Sequence, residues 1–197
     1  MKKVLVFAML AALAATPVFA DKGDFWFGLD AGISGPTGDF SDFADMGYHG
    51  TATGTFMVSP VLGIGADVGY HTWGGTDDYD ALLQFLSGDP GAEGSFSAIQ
   101  ATAHAMFMIP MEGKARPYLK GGLGMYNLKA KVESSFGDAD ESESNFGFNI
   151  GGGVNFLASP MFMVGLGAAY HSVQTEDQST DFYTVGVNLL WGRGGGQ

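Results

Sequence analysis

The chain of 197 residues contains no cysteine. That absence excludes disulfides, thiolate metal sites and cysteine nucleophiles together. Positive charge is scarce as well: 9 Lys and Arg stand against 21 Asp and Glu, for a net charge of −12. A surface so poor in cations cannot neutralise a phosphate backbone, which excludes nucleic-acid binding as a function class. Beyond the first twenty residues there is no run of about 20 apolar residues, the length a membrane-spanning helix requires. The 32 glycines form no low-complexity tract. Most recur at every second position inside apolar segments.

Residues 1–20 read as an export signal that is removed. Lys2 and Lys3 supply its positive end, Val4 to Ala15 its apolar centre, and Val18-Phe19-Ala20 a small-residue cleavage site. Loss of Lys2 and Lys3 takes the formal charge from −12 to −14. The remainder divides into one domain over 21–191 and a glycine-rich tail over 192–197.

Period-two alternation marks eight strands, near 25–34, 47–58, 61–71, 97–109, 117–129, 145–157, 161–171 and 182–191. In the clearest, Phe146, Phe148, Ile150, Val154 and Phe156 share one face, while Asn145, Gly147, Asn149, Gly151, Gly153 and Asn155 share the other. The polar face is too small and too rich in glycine to coat a water-facing surface. The pattern is therefore inside out, with apolar residues toward lipid and small or polar ones toward a closed lumen. The expected fold is an eight-stranded antiparallel up-and-down transmembrane β-barrel. Short connections alternate with long ones near 35–46, 72–96, 130–144 and 172–181, as in a barrel with short inner turns and long outer loops. Outward aromatics sort into two belts, Tyr48, Tyr70, Phe146, Phe148, Tyr170 and Tyr183 at the outer rim and Phe25, Phe27, Phe56, Phe107, Phe156, Phe162 and Trp191 at the inner one. An internal repeat aligns the segment from Ser59-Pro60 to Tyr70-His71 with that from Ser159-Pro160 to Tyr170-His171. Its two copies are the third and seventh strands, opposite one another in an eight-membered ring.

Several motifs carry a family likeness. Gly28-Leu29-Asp30-Ala31-Gly32 precedes Pro36-Thr37-Gly38-Asp39-Phe40, and Pro117-Tyr118-Leu119-Lys120-Gly121-Gly122-Leu123-Gly124 precedes the strand from Phe146 to Phe156. With the export signal, these make the chain resemble the small outer-membrane barrels of OmpA, OmpX and OmpW type. The resemblance implies location in the outer membrane of a diderm bacterium, contact with outer-membrane lipid and lipopolysaccharide, and insertion by the barrel assembly machinery. One departure stands out, because such barrels end on an aromatic residue and here Trp191 is followed by the tail.

Candidate site residues lie on inward faces. Asp30, Asp67 and Lys120 are the lumen charges expected at mid-depth, with Lys120 able to reach both acids from below. They form either a charged constriction or a structural ion pair. His49, His71 and His171 lie near the outer rim and His104 deeper, a set that suits metal binding or pH sensing only if the strands bring the rings together. Sixteen of the 21 acids fall in the outer loops. They offer divalent cations a site or form a solvated, mutually repelling rim. Asp138-Ala139-Asp140 opens like a calcium loop, but Glu143 stands where glycine is required. In the second outer loop, residues 80–86 suit an amphipathic helical turn or two. No catalytic set is visible: His171 and Ser172 are adjacent on a strand and point to opposite faces. No cofactor or dedicated metal site is expected. Three functions follow, in order: a non-enzymatic envelope protein with exposed acidic loops, a narrow porin-like channel or carrier as the OmpW likeness allows, and a lipid-modifying enzyme.

Overall fold

The computed structural model describes residues 23–135, 137–175 and 179–193. The export segment read at 1–20, residues 194–197 of the tail, and the acids Glu176 and Asp177 lie outside the described residues.

Eight strands follow one another around a single closed barrel: β1 (Phe25–Thr37), β2 (Gly47–Met57), β3 (Leu62–Gly74), β4 (Glu93–Met108), β5 (Ala115–Glu133), β6 (Ala139–Ser159), β7 (Phe162–Gln174) and β8 (Ser179–Arg193). Every neighbouring pair is antiparallel, and β8 closes the ring against β1 from Phe25↔Arg193 to Thr37↔Asp181. No helix among the described residues is long and apolar enough to cross a membrane.

Alternation in sequence becomes alternation of faces. Ile150 is 63% exposed, while its neighbour Asn149 is 4% exposed and turned into the lumen. Tyr48, Tyr70, Phe146 and Phe148 face outward toward the long-loop end, and Phe25, Phe27, Phe56 and Trp191 toward the short-turn end. These are the two aromatic girdles of a membrane barrel.

The strands outrun the alternating pattern at the outer end. β5 and β6 pair as far as Val132↔Ala139, leaving 134–138 as the connection instead of 130–144. Here Glu141-Ser142-Glu143-Ser144 is polar on both faces, because this part of the sheet stands clear of lipid. The last strand likewise runs past Trp191 to Arg193, and the Gly192 N–H donates to the Met161 carbonyl (3.1 Å). In the second outer loop the helical stretch is longer than residues 80–86. Helix α1 (Asp77–Ser87) begins at Thr76, whose Oγ1 accepts from the Tyr79 N–H, and ends at Gly88 with φ 69°. Asp77, Asp78 and Asp80 in its first turn complement the helix dipole.

Candidate functional site

The lumen is built in three layers. At the short-turn end Trp26, Met57, Met106, Met108, Met163 and Leu190 pack together, with Tyr118 and Leu157 against them. At the outer end Trp73, Ala98, Tyr126, Val173 and Phe182 form a second apolar layer, joined by Ala44, Phe40, Phe96 and Leu128. Phe40 and Ala44 come from the short 3-10 turn (Gly38–Asp42) and the loop behind it, so the first outer loop folds in over the mouth. Between the two plugs lies a polar layer that contains the charges.

Glycines make room in the polar layer for large inward side chains that reach across to other strands. A Cβ on Gly65 would stand 2.8 Å from the His104 ring, and one on Gly167 would stand 2.5 Å from the Tyr118 hydroxyl. Both distances are below van der Waals contact, so each glycine marks where a partner side chain leans across.

Asp67, 1% exposed, accepts from two cationic or polar donors. Lys120 Nζ donates to its Oδ1 (3.2 Å) and His104 Nδ1 donates to its Oδ2 (3.0 Å). Thr55 Oγ1 lies 3.0 Å from the other nitrogen of His104. Asp30, also within reach of Lys120 on paper, is turned instead to His49 (Nε2···Oδ1 2.5 Å). The second nitrogen of His49 faces the Ile33 carbonyl at 3.2 Å, so both ring nitrogens point at oxygen atoms. The three lumen charges are thus divided between two separate pairs.

The rim histidines come together. His49 stacks on His71 with centroids 5.8 Å apart, and His71 meets His171 at 5.3 Å. Their nitrogens, however, are directed to different partners. His71 Nε2 donates to Gln100 Oε1 (3.0 Å), while His171 lies 3.0 Å from the Tyr126 hydroxyl and 3.3 Å from Thr184 Oγ1. Among the described residues no three His, Asp or Glu are arranged to hold a metal ion. His171 is not directed at Ser172, which lies on the opposite face of β7. Gln100, Thr55, Asn149 and Asn188 complete this layer, and sequence reasoning passed over them. Their inward parity was legible, but nothing in their type marked them out.

The packing leaves little space. The polar layer encloses a cavity of about 80 Å³, lined by Asp30, His49, Asp67, Lys120, Tyr118 and Asn188 among others. That is room for a few water molecules.

A profile of the outer membrane protein β-barrel domain matches residues 4–191. The chain belongs to this outer-membrane β-barrel family. Solved barrels share the fold across nearly their whole lengths. Neisserial surface protein A (NspA) superposes with a TM-score of 0.61 at 15% identity, covering 86% of this chain and 98% of that one. A major outer membrane protein from Thermus thermophilus gives 0.57 at 10% identity, covering 87% and 99%. Ail, the attachment invasion locus protein of Yersinia pestis, gives 0.54 at 18% identity, covering 86% and 99%. No curated protein sequence matches significantly. As in the rest of this barrel family, the chain is placed in the outer membrane by its strands.

Proposed function

We propose that this chain is a non-enzymatic outer-membrane protein whose barrel is an anchor and whose working surface is the extracellular rim. The observation that carries this reading is the pair of apolar plugs. Trp73, Val173, Tyr126 and Phe182 seal the polar layer from above, and Trp26, Met57 and Met163 seal it from below. A solute would have to displace both layers, and the space between them amounts to about 80 Å³. The two carboxylates of this layer pair with His49, His104 and Lys120, while His71 and His171 bond neutral partners, and together they fill and fix the barrel.

The rim is acidic. Asp39, Asp42, Asp45, Asp77, Asp78 and Glu93 lie at its edge beside the hairpin of β5 and β6. Such a rim keeps the loops solvated and repels anions. Ail has been crystallised with the heparin analogue sucrose octasulfate. A polyanion of that kind would meet carboxylates here, so an adhesive role would select a different class of partner.

Single-channel recording of the refolded protein in a planar bilayer tests the reading. Silence from SDS-resistant, folded protein is expected. Discrete steps that change when Lys120 or Asp67 is neutralised would replace the anchor reading with that of a narrow channel.

A further inference from the structure

Above the outer plug the barrel opens into a cleft of about 780 Å³. Its floor is apolar and mostly aromatic: Phe40, Trp73, Phe96 and Leu128. Phe40 stands edge-on to Trp73 at 5.3 Å and to Phe96 at 5.6 Å, so the floor is a rigid set of rings. One wall is the outer part of the β5–β6 hairpin.

Strand parity sorts the charges of that hairpin. Residues in step with the inward Tyr126 and Asn145 face the cleft, which places Leu128, Ala130, Glu141 and Glu143 on the inner side. Lys129, Lys131 and Asp140 fall on the outer side. The cations are taken up there, with Lys129 Nζ 2.7 Å from Asp140 and Lys131 held by Glu133 and Asp138. Lys129 touches the rim of the cleft but is already committed to Asp140. Glu141 and Glu143 form no ion pair among the described residues. Once the Asn145 amide is oriented to suit its neighbours it donates to Glu143 (3.0 Å), and a neutral amide leaves that charge unbalanced.

We propose that this cleft binds an organic cation with an apolar body. The cationic head sits against Glu141 and Glu143, and the body lies on the half-buried rings of Phe40 and Phe96. Carboxylates and aromatic faces are the two surfaces that attract such a cation, and here exposed Glu141 and Glu143 stand beside half-buried rings. A bare metal ion does not fit, since three ligating side chains are not assembled anywhere among the described residues. Pockets of roughly 300–1,000 Å³ commonly take small organic molecules, so the volume admits a compact ligand of this kind.

This assignment rests on the reading of the rim as the working surface, and its test separates the two. The mature protein, refolded into nanodiscs of zwitterionic phosphatidylcholine, is titrated with benzyltriethylammonium and followed by calorimetry and tryptophan fluorescence. Benzenesulfonate, at the same concentrations, serves as the anionic control. The expected result is saturable binding of the cation alone, weakened at least tenfold in the E141Q/E143Q variant. That variant must retain the SDS resistance of the parent, since both side chains lie above the membrane. A cation that fails to bind the folded parent, or binds E141Q/E143Q equally well, overturns the cleft assignment. Neither result touches the closed-barrel reading, which fails only if the same preparation conducts ions.

Discussion

His71 and His171 touch across the lumen, with ring centroids 5.3 Å apart, although they belong to strands on opposite sides of the barrel. They occupy equivalent places in the two copies of the internal repeat. Phe182 completes the contact: its ring stacks on His171 at 4.6 Å and meets His71 and Trp73 edge-on at 4.9 Å each. A repeated strand thus delivers the same residue to the same height from two directions, and one phenylalanine fills the gap between them.

Phe182 is wholly buried, and removing it should be costly. Phe182→Ala is expected to destabilise the barrel by about 3 kcal/mol, toward the low end for a phenylalanine because water can enter the space from above. Urea unfolding in lipid vesicles reads the loss. The lower plug stays intact, so the variant should remain electrically silent. Conduction by this single variant would mean that the lower layer does not seal.

Asp67 holds two donors in a place where neither has another counter-charge. Asp67→Asn should cost about 3 kcal/mol, because it leaves the Lys120 ammonium inside the lumen beside neutral groups. Adding Lys120→Met should recover much of that loss. Equal stabilities for the single and double variants would show that the pair is not coupled.

Ile150 tests the inside-out assignment directly. It faces lipid between Asn149 and Gly151, and Ile150→Arg should destabilise by about 2–4 kcal/mol if it lies near the bilayer midplane. On gels the parent should migrate as a compact species until boiled, and the variant should lose that form at lower temperature. Unchanged heat resistance would mean that this face does not meet hydrocarbon.

Asp89 ties the second outer loop to the third. Its Oδ1 accepts from the Gly91 N–H (3.0 Å) and its Oδ2 from the Ser135 N–H (2.5 Å). The bond from Gly91 and then that from Ser135 hold its carboxyl below the ordinary carboxylate range. A lowered pKa in the folded state means that the tie is at full strength above the ordinary value of about 3.9 and is lost as pH falls through the lowered one. The amide resonances of Gly91 and Ser135 should therefore shift with a midpoint below that value. Asp89→Asn should abolish the transition, and a midpoint at or above about 4 would rule out the tie.

Much of this architecture was legible in the alternation of residues, because lipid on one side and a narrow lumen on the other impose strict period two. The signal faded wherever those two environments ended. Glu141 to Ser144 continue β6 into solvent, where both faces are polar and only pairing with β5 defines the strand. Helix α1 carried its boundaries in Thr76 and Gly88, yet its apolar residues alone suggested a shorter element. In the lumen, parity placed Asp30, Asp67, Lys120 and all four histidines on the inner face. Choice of partner was not legible, since it depends on reach across a closed ring. Asp30 goes to His49 and not to Lys120 because β1 and β2 are adjacent, which parity alone does not weigh.

The closing seam has a consequence for biogenesis. The strand made first pairs with the strand made last, along thirteen residue positions from Phe25 to Thr37. Until β8 exists, β1 carries an open edge, and the apolar outer face cannot be presented to lipid without it. The loop that must close spans nearly the whole described chain, the slowest kind of contact for a polypeptide to find unaided. The ring can therefore close only once the final strand is present. A helper that keeps β1 occupied until then would govern the rate at which this barrel reaches the membrane.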